Sequence, residues 1–100
     1  MYKLILFLKK TDDKQVLSHF QDFTLKYLSE LAGKKIIPGK VESSLLLDTK
    51  YSHFCEFEVE MKEDMDKILN GKAGKEFNKD LMNFHKHVDI IFVDFNQINN

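Results

Sequence analysis

The sequence predicts an α+β domain built in the order strand, helix, strand, strand, helix, strand. Three patterns carry this reading. Tyr2 to Leu8 is apolar at almost every position, Tyr51 to Met61 alternates strictly, and an apolar stripe recurs at helical spacing between Val16 and Leu31.

Each element can be justified in turn. The run Tyr2 to Leu8, broken only by Lys3 and closed by Lys9 and Lys10, has the composition of a strand covered on both faces. Thr11-Asp12-Asp13 then supplies helix-capping side chains, and Asp12 with Gln15 three residues on resembles a capping box. Val16, Phe20, Phe23, Tyr27 and Leu31 form a single stripe on a helix running from about Asp13 to Leu31, which Gly33 ends. Pro38 forbids continuation, so Ile36 to Gly39 reads as a loop into a second strand, Val41 to Asp48, with Thr49-Lys50 as a tight turn.

In the third strand, Tyr51, His53, Cys55, Phe57, Val59 and Met61 share one face, and Ser52, Phe54, Glu56, Glu58 and Glu60 the other. A short helix at Asp64 to Leu69 stops at Asn70-Gly71. A second helical segment, Lys75 to Phe84, places Phe77, Leu81 and Phe84 on one side. Val88 to Phe95, apolar apart from Asp89 and Asp94, is the fourth strand. Split βαβ units of this kind give the ferredoxin-like arrangement, a four-stranded antiparallel sheet with both helices on one face. Residues 1–96 are read as one domain and 97–100 as a frayed tail.

Composition narrows the function classes. The 100 residues hold 43% apolar and 31% charged side chains with a formal net charge of -1, so no global field draws the chain to nucleic acid or to an anionic membrane. Every basic residue is Lys; the rigid Arg fork that reads phosphate or guanine is missing. The longest apolar run, Leu4 to Leu8, falls far short of the roughly 20 residues of a membrane span. A single cysteine, Cys55, forms no internal disulfide and fits a reducing cytoplasm. No P-loop, G-x-G-x-x-G, zinc-finger spacing or G-x-S-x-G elbow is present.

Two helices cover only one face of such a sheet, yet the first and fourth strands are apolar on both. A second copy of the chain, sheet against sheet, would bury the uncovered face, so a homodimer follows from the pattern itself. Ile5, Phe7 and Phe54 belong to that face. They line either a packed dimer interface or an apolar cavity for a small hydrophobic ligand, with Glu56 and Glu58 beside them. A desolvated Glu58 would be a general base; exposed, Glu56 and Glu58 form an acidic strip that pairs with lysines of the partner subunit. His85, His87 and Asp89 could share one direction on an extended chain, but no matching pair or Cys cluster accompanies them, so no metal and no cofactor is assigned. Cys55 shares its face with Phe57 and Val59 and reads as a small buried hydrophobe.

The segment Glu58-Val59-Glu60-Met61-Lys62-Glu63-Asp64-Met65, followed by Gly74-Lys75-Glu76-Phe77-Asn78-Lys79-Asp80-Leu81-Met82-Asn83-Phe84, resembles the ethyl tert-butyl ether degradation (EthD) family of dimeric α/β-barrel proteins. Tyr2 to Lys9 and the helix end Leu31-Ala32-Gly33 fit the same family more loosely. Relatives often carry a His in the first helix, some nine residues before the Gly, with a Pro two residues on; those positions read Thr24 and Lys26 here. The resemblance implies a dimeric α/β barrel that binds a small hydrophobic molecule or assists its metabolism. Its alternatives are a cofactor-independent oxygenase or isomerase and a structural dimer with a filled interior.

Overall fold

The computed structural model describes residues 1–95; the tail expected to fray, 97–100, lies outside them. In chain order the elements are β1 (Tyr2–Lys9), α1 (Lys14–His19), a π-helical segment (Phe20–Thr24), α2 (Leu25–Ala32), β2 (Gly39–Lys40), β3 (Tyr51–Val59), α3 (Lys62–Asn70), α4 (Lys72–Phe84), a short 3₁₀ turn (His85–His87) and β4 (Val88–Asp94). The sheet runs β2-β3-β1-β4 and is antiparallel throughout. Alternation along β1 sends Leu4, Leu6 and Leu8 to one face, where all three are completely buried against Val16, Phe20, Leu28, Met65, Phe77 and Phe84 of the helices. Each such burial stabilises by roughly 1.5–3 kcal/mol. The helices thus lie on one face, and the four-stranded α+β architecture is the one the sequence predicts.

The first helix departs from its expected stripe. Its N-cap is Asp13, whose carboxylate accepts from the Gln15 backbone N–H at 2.9 Å, and Gly33 closes it in the left-handed region at φ 71°. Between them the chain widens through one π turn. The residues that reach the core are Val16, Phe20, Thr24, Leu28 and Leu31, while Phe23, assigned to the core by spacing, is 48% exposed. The inserted turn rotates everything after Phe20, so Thr24 and Leu28 take the inward places that a regular α-helix gives Phe23 and Tyr27.

That rotation also brings two polar side chains together. On a regular α-helix residues five apart lie about 140° from one another, but His19 and Thr24 here meet the same carboxylate on α4. His19 Nε2 lies 2.6 Å from Asp80 Oδ1, and the Thr24 hydroxyl donates to Asp80 Oδ2 at 2.8 Å. Thr24 is wholly buried and the Asp80 side chain is 4% exposed.

The second strand is much shorter than predicted. Only Gly39–Lys40 pair with β3, extended by the Val41 N–H to the Ser52 carbonyl at 2.8 Å. Residues 42–50 form a loop rather than the strand Val41 to Asp48 with a tight turn. Its three leucines, Leu45, Leu46 and Leu47, are almost fully exposed, because no element lies above them to reward an inward-facing register.

At the α3–α4 junction Gly74 allows a close crossing. A β-carbon there would stand 2.1 Å from the Leu69 carbonyl oxygen. The glycine of the EthD-like motif therefore has a packing reason in this chain.

Candidate functional site

The face of the sheet away from the helices carries Lys3, Ile5, Phe7 and Lys9 from β1, Phe54 and Glu56 from β3, and Asp89, Ile91 and Val93 from β4, as the register requires. Ile5, Phe7, Phe54 and Glu56 are each half-buried, and Ile91 is 47% exposed. Among the described residues no element covers this face. Phe7 packs on Phe54 with ring centroids 5.3 Å apart. Glu56, expected to pair with a partner's lysine, is held within the chain by Lys3 at 3.1 Å. Glu58, the candidate base, is exposed at the far end of β3 beside Met1, Val59 and Glu60.

A register shift between Leu8 and Lys9 sets Tyr51, rather than Ser52, opposite Lys9. Tyr51, expected beside His53 and Cys55, therefore joins the open face, where its ring stacks on Phe7 at 4.6 Å. Its hydroxyl donates to Asp89 Oδ2 at 2.6 Å, and the Lys9 and Lys50 ammonium groups stand 3.9 Å from the same carboxylate. The hydrogen bond from Tyr51, with help from the two lysines, holds the Asp89 carboxyl below its ordinary value. The same bond, being made to an anion, pushes the Tyr51 phenol up.

A mainly apolar opening lies on the other side of the sheet. A cleft of about 730 Å³ separates the first helix from β3 and the loop before β2. Leu8, Leu17, Phe20, Leu25 and Ile36 wall it, and His53 stands among them. The loop wall is pinned by the Ile36 N–H donating to Ser29 Oγ at 2.9 Å. The Ser52 hydroxyl donates to the Leu8 carbonyl at 3.4 Å, so it accepts from His53 Nδ1–H at 3.0 Å. In the neutral ring that leaves Nε2 as a lone-pair acceptor in largely apolar surroundings. The alternation places His53 on the helix side, but the cleft depends on the loop at residues 34–38, whose path has no signal in the sequence beyond Pro38.

The remaining candidates are dispersed. Cys55 is buried, and desolvation pushes its thiol up to about 12, which leaves no thiolate for nucleophilic chemistry at neutral pH. His85 and His87 sit in a 3₁₀ turn rather than on an extended chain. His87 packs against Phe84, and Asp89 is engaged by Tyr51, so the three do not converge. Among the described residues no cluster of three metal-ligating side chains occurs, and no helix is long and apolar enough to cross a membrane.

Neither a family model nor a curated protein sequence matches this chain. Among solved structures it is similar to an ethyl tert-butyl ether degradation (EthD) family protein from Bacillus halodurans. The TM-score is 0.77 at 22% identity, over 94% of this chain and 97% of that one. The fold is of the EthD type. A protein of Arabidopsis thaliana is also similar, with a TM-score of 0.64 and 20% identity over 100% of this chain and 98% of that one. In this EthD-type fold the motif residues Gly74, Asp80 and Phe84 each have a structural place: Gly74 at the helix crossing, Asp80 under the first helix and Phe84 in the core.

Proposed function

We propose that this chain is a homodimeric binder of a small hydrophobic molecule, held in the cleft between the first helix and β3. The observation that carries the reading is the cleft itself. Its volume of about 730 Å³ lies within the range of small-molecule pockets, roughly 300–1,000 Å³, and its mainly aliphatic and aromatic wall also holds the imidazole of His53 and the side chains of Lys26 and Lys35. An apolar ligand would gain by leaving water, and a hydroxyl on it would donate to His53 Nε2. Ligands with a single hydroxyl on an apolar frame fit this lining best.

The open face supports the dimer. Ile5, Phe7, Phe54 and Ile91 make an apolar patch flanked by the Lys3–Glu56 and Tyr51–Asp89 pairs, which is the pattern of an interface with a polar rim. A second copy laid sheet to sheet would close a barrel around these residues. Glu58 lies about 17 Å along β3 from His53, so the binding reading draws nothing from the acidic end of the strand.

The test uses 1-naphthol, an apolar bicycle with one hydroxyl, followed by its fluorescence on titration with the full chain. Saturable binding is expected, weakened by His53→Ala and abolished by Leu25→Trp, which fills the cleft. Binding unchanged in both variants, or no binding to the wild type, would refute the reading.

A further inference from the structure

We propose that the molecule held in the cleft at His53 is an acid, a hydrophobic frame whose carboxylate lies against Lys35 and Lys26 at the rim. The proposal rests on the cleft reading and adds the ligand's charge, which an apolar wall alone does not specify.

The first support is the sign of the lining. The chain holds 15 basic and 16 acidic residues, so an opening of average composition would draw on both. The cleft does not: its charged side chains are Lys26 and Lys35, and no Asp or Glu lines it. The groove on the other side of the first helix shows the contrast, for there Glu30, Glu76 and Asp80 stand against Lys26 and Lys79. Lys26 borders both openings, so of the two lysines Lys35 is the one that belongs to the cleft alone. Neither has a carboxylate within 4.0 Å among the described residues, whereas Lys3, Lys9 and Lys50 on the sheet are engaged.

The second support is placement. Lys35 precedes Ile36, whose side chain is buried and whose N–H is pinned to Ser29 Oγ at 2.9 Å, so the backbone that carries the ammonium group is anchored. Both lysines are exposed, and a Lys stem can cover apolar surface while its charged end stays in water. An apolar interior with positive charge at its rim is the complement of an amphipathic anion. Ser29 Oγ, having accepted from Ile36, keeps its own proton to donate, which again favours an acceptor on the ligand.

A carboxylate suits this rim better than a phosphate. An ammonium group is a point charge, the chain has no Arg to grip a phosphate in a fork, and a dianion loses more hydration than two exposed lysines return. The ligand class is therefore a hydrophobic carboxylic acid with a hydroxyl for His53.

The experiment compares 1-naphthol with 4-hydroxy-1-naphthoate, the same bicycle bearing a carboxylate opposite the hydroxyl, by fluorescence titration of the full chain at neutral pH. At low salt the acid should bind about fivefold more tightly, as two partly exposed ion pairs supply. The advantage should vanish near 0.5 M salt, where the screening length falls to about 4 Å. In Lys35→Glu, a change at an exposed loop position, the acid should bind more weakly than 1-naphthol. Equal binding of the two compounds at low salt, an advantage that persists at high salt, or an acid still preferred by Lys35→Glu would overturn the proposal and leave the cleft reading standing. Failure of the wild type to bind either compound would overturn both.

Discussion

The two faces of the sheet are built from the same strands and have opposite fates. On the helix side, Leu4, Leu6, Leu8, Cys55 and Phe57 are all at most 3% exposed, in a core closed by one chain. One residue along each strand, Ile5, Phe7 and Phe54 are comparably apolar yet only half covered, and Ile91 is 47% exposed. The difference is that none of these buried residues is charged, while the open face sets the Lys3–Glu56 and Lys9–Asp89 pairs at the margins of its apolar centre. A surface that only met water would not gain from that centre, and a surface buried within the monomer would not keep Lys3, Lys9, Glu56 and Asp89 around it.

Substitutions can set the two faces against each other. The largest effect belongs to the covered face. Leu6→Ala removes a fully buried side chain and should cost about 2–5 kcal/mol in urea unfolding, a large share of what a domain of this size possesses. Loss of less than 1 kcal/mol would mean that the core is looser than its burial indicates. Next is the layer that covers it. Gly74→Ala places a β-carbon against the Leu69 backbone and should cost about 1–3 kcal/mol by forcing α3 and α4 apart; an unchanged midpoint would show that the crossing is adjustable.

The smallest effect belongs to the open face and depends on pH. Asp89 has a folded-state value below its ordinary 3.8, chiefly because Tyr51 donates to it. A depressed carboxylate binds fewer protons folded than unfolded, so its contribution is complete above the unfolded value and fades as pH falls through the folded one. Tyr51→Phe should therefore lower stability slightly at neutral pH and leave less to be lost below pH 3.8. Parallel acid-unfolding curves for the two proteins would remove the Tyr51–Asp89 bond from the account.

Much of this was legible in the sequence where a period and a layer agree. β1, β3 and β4 were, because alternation or a continuous apolar run has one structural meaning when a helical layer is available. The stripe on the first helix was misread at Phe23, because a wheel drawn at 3.6 residues per turn has no means of showing a π insertion. Val41 to Asp48 has strand composition, but composition does not supply a neighbour to pair with. The bulge that moves Tyr51 across the sheet breaks an alternation that is unbroken in the sequence. The contact of His19 with Asp80 joins residues 61 apart, and only the packing of α4 on the first helix makes it. Glu56 and Glu58 were visible as an acidic strip, but their partners were not: one is taken by Lys3 and the other faces solvent.

The central claim is that the open face is completed by a second copy of the chain, and the mass in solution tests it most directly. Light scattering at micromolar concentration should give twice 11.8 kDa for the wild type, and 11.8 kDa for Phe54→Glu with its helical circular dichroism intact. A wild-type mass of 11.8 kDa would contradict the account.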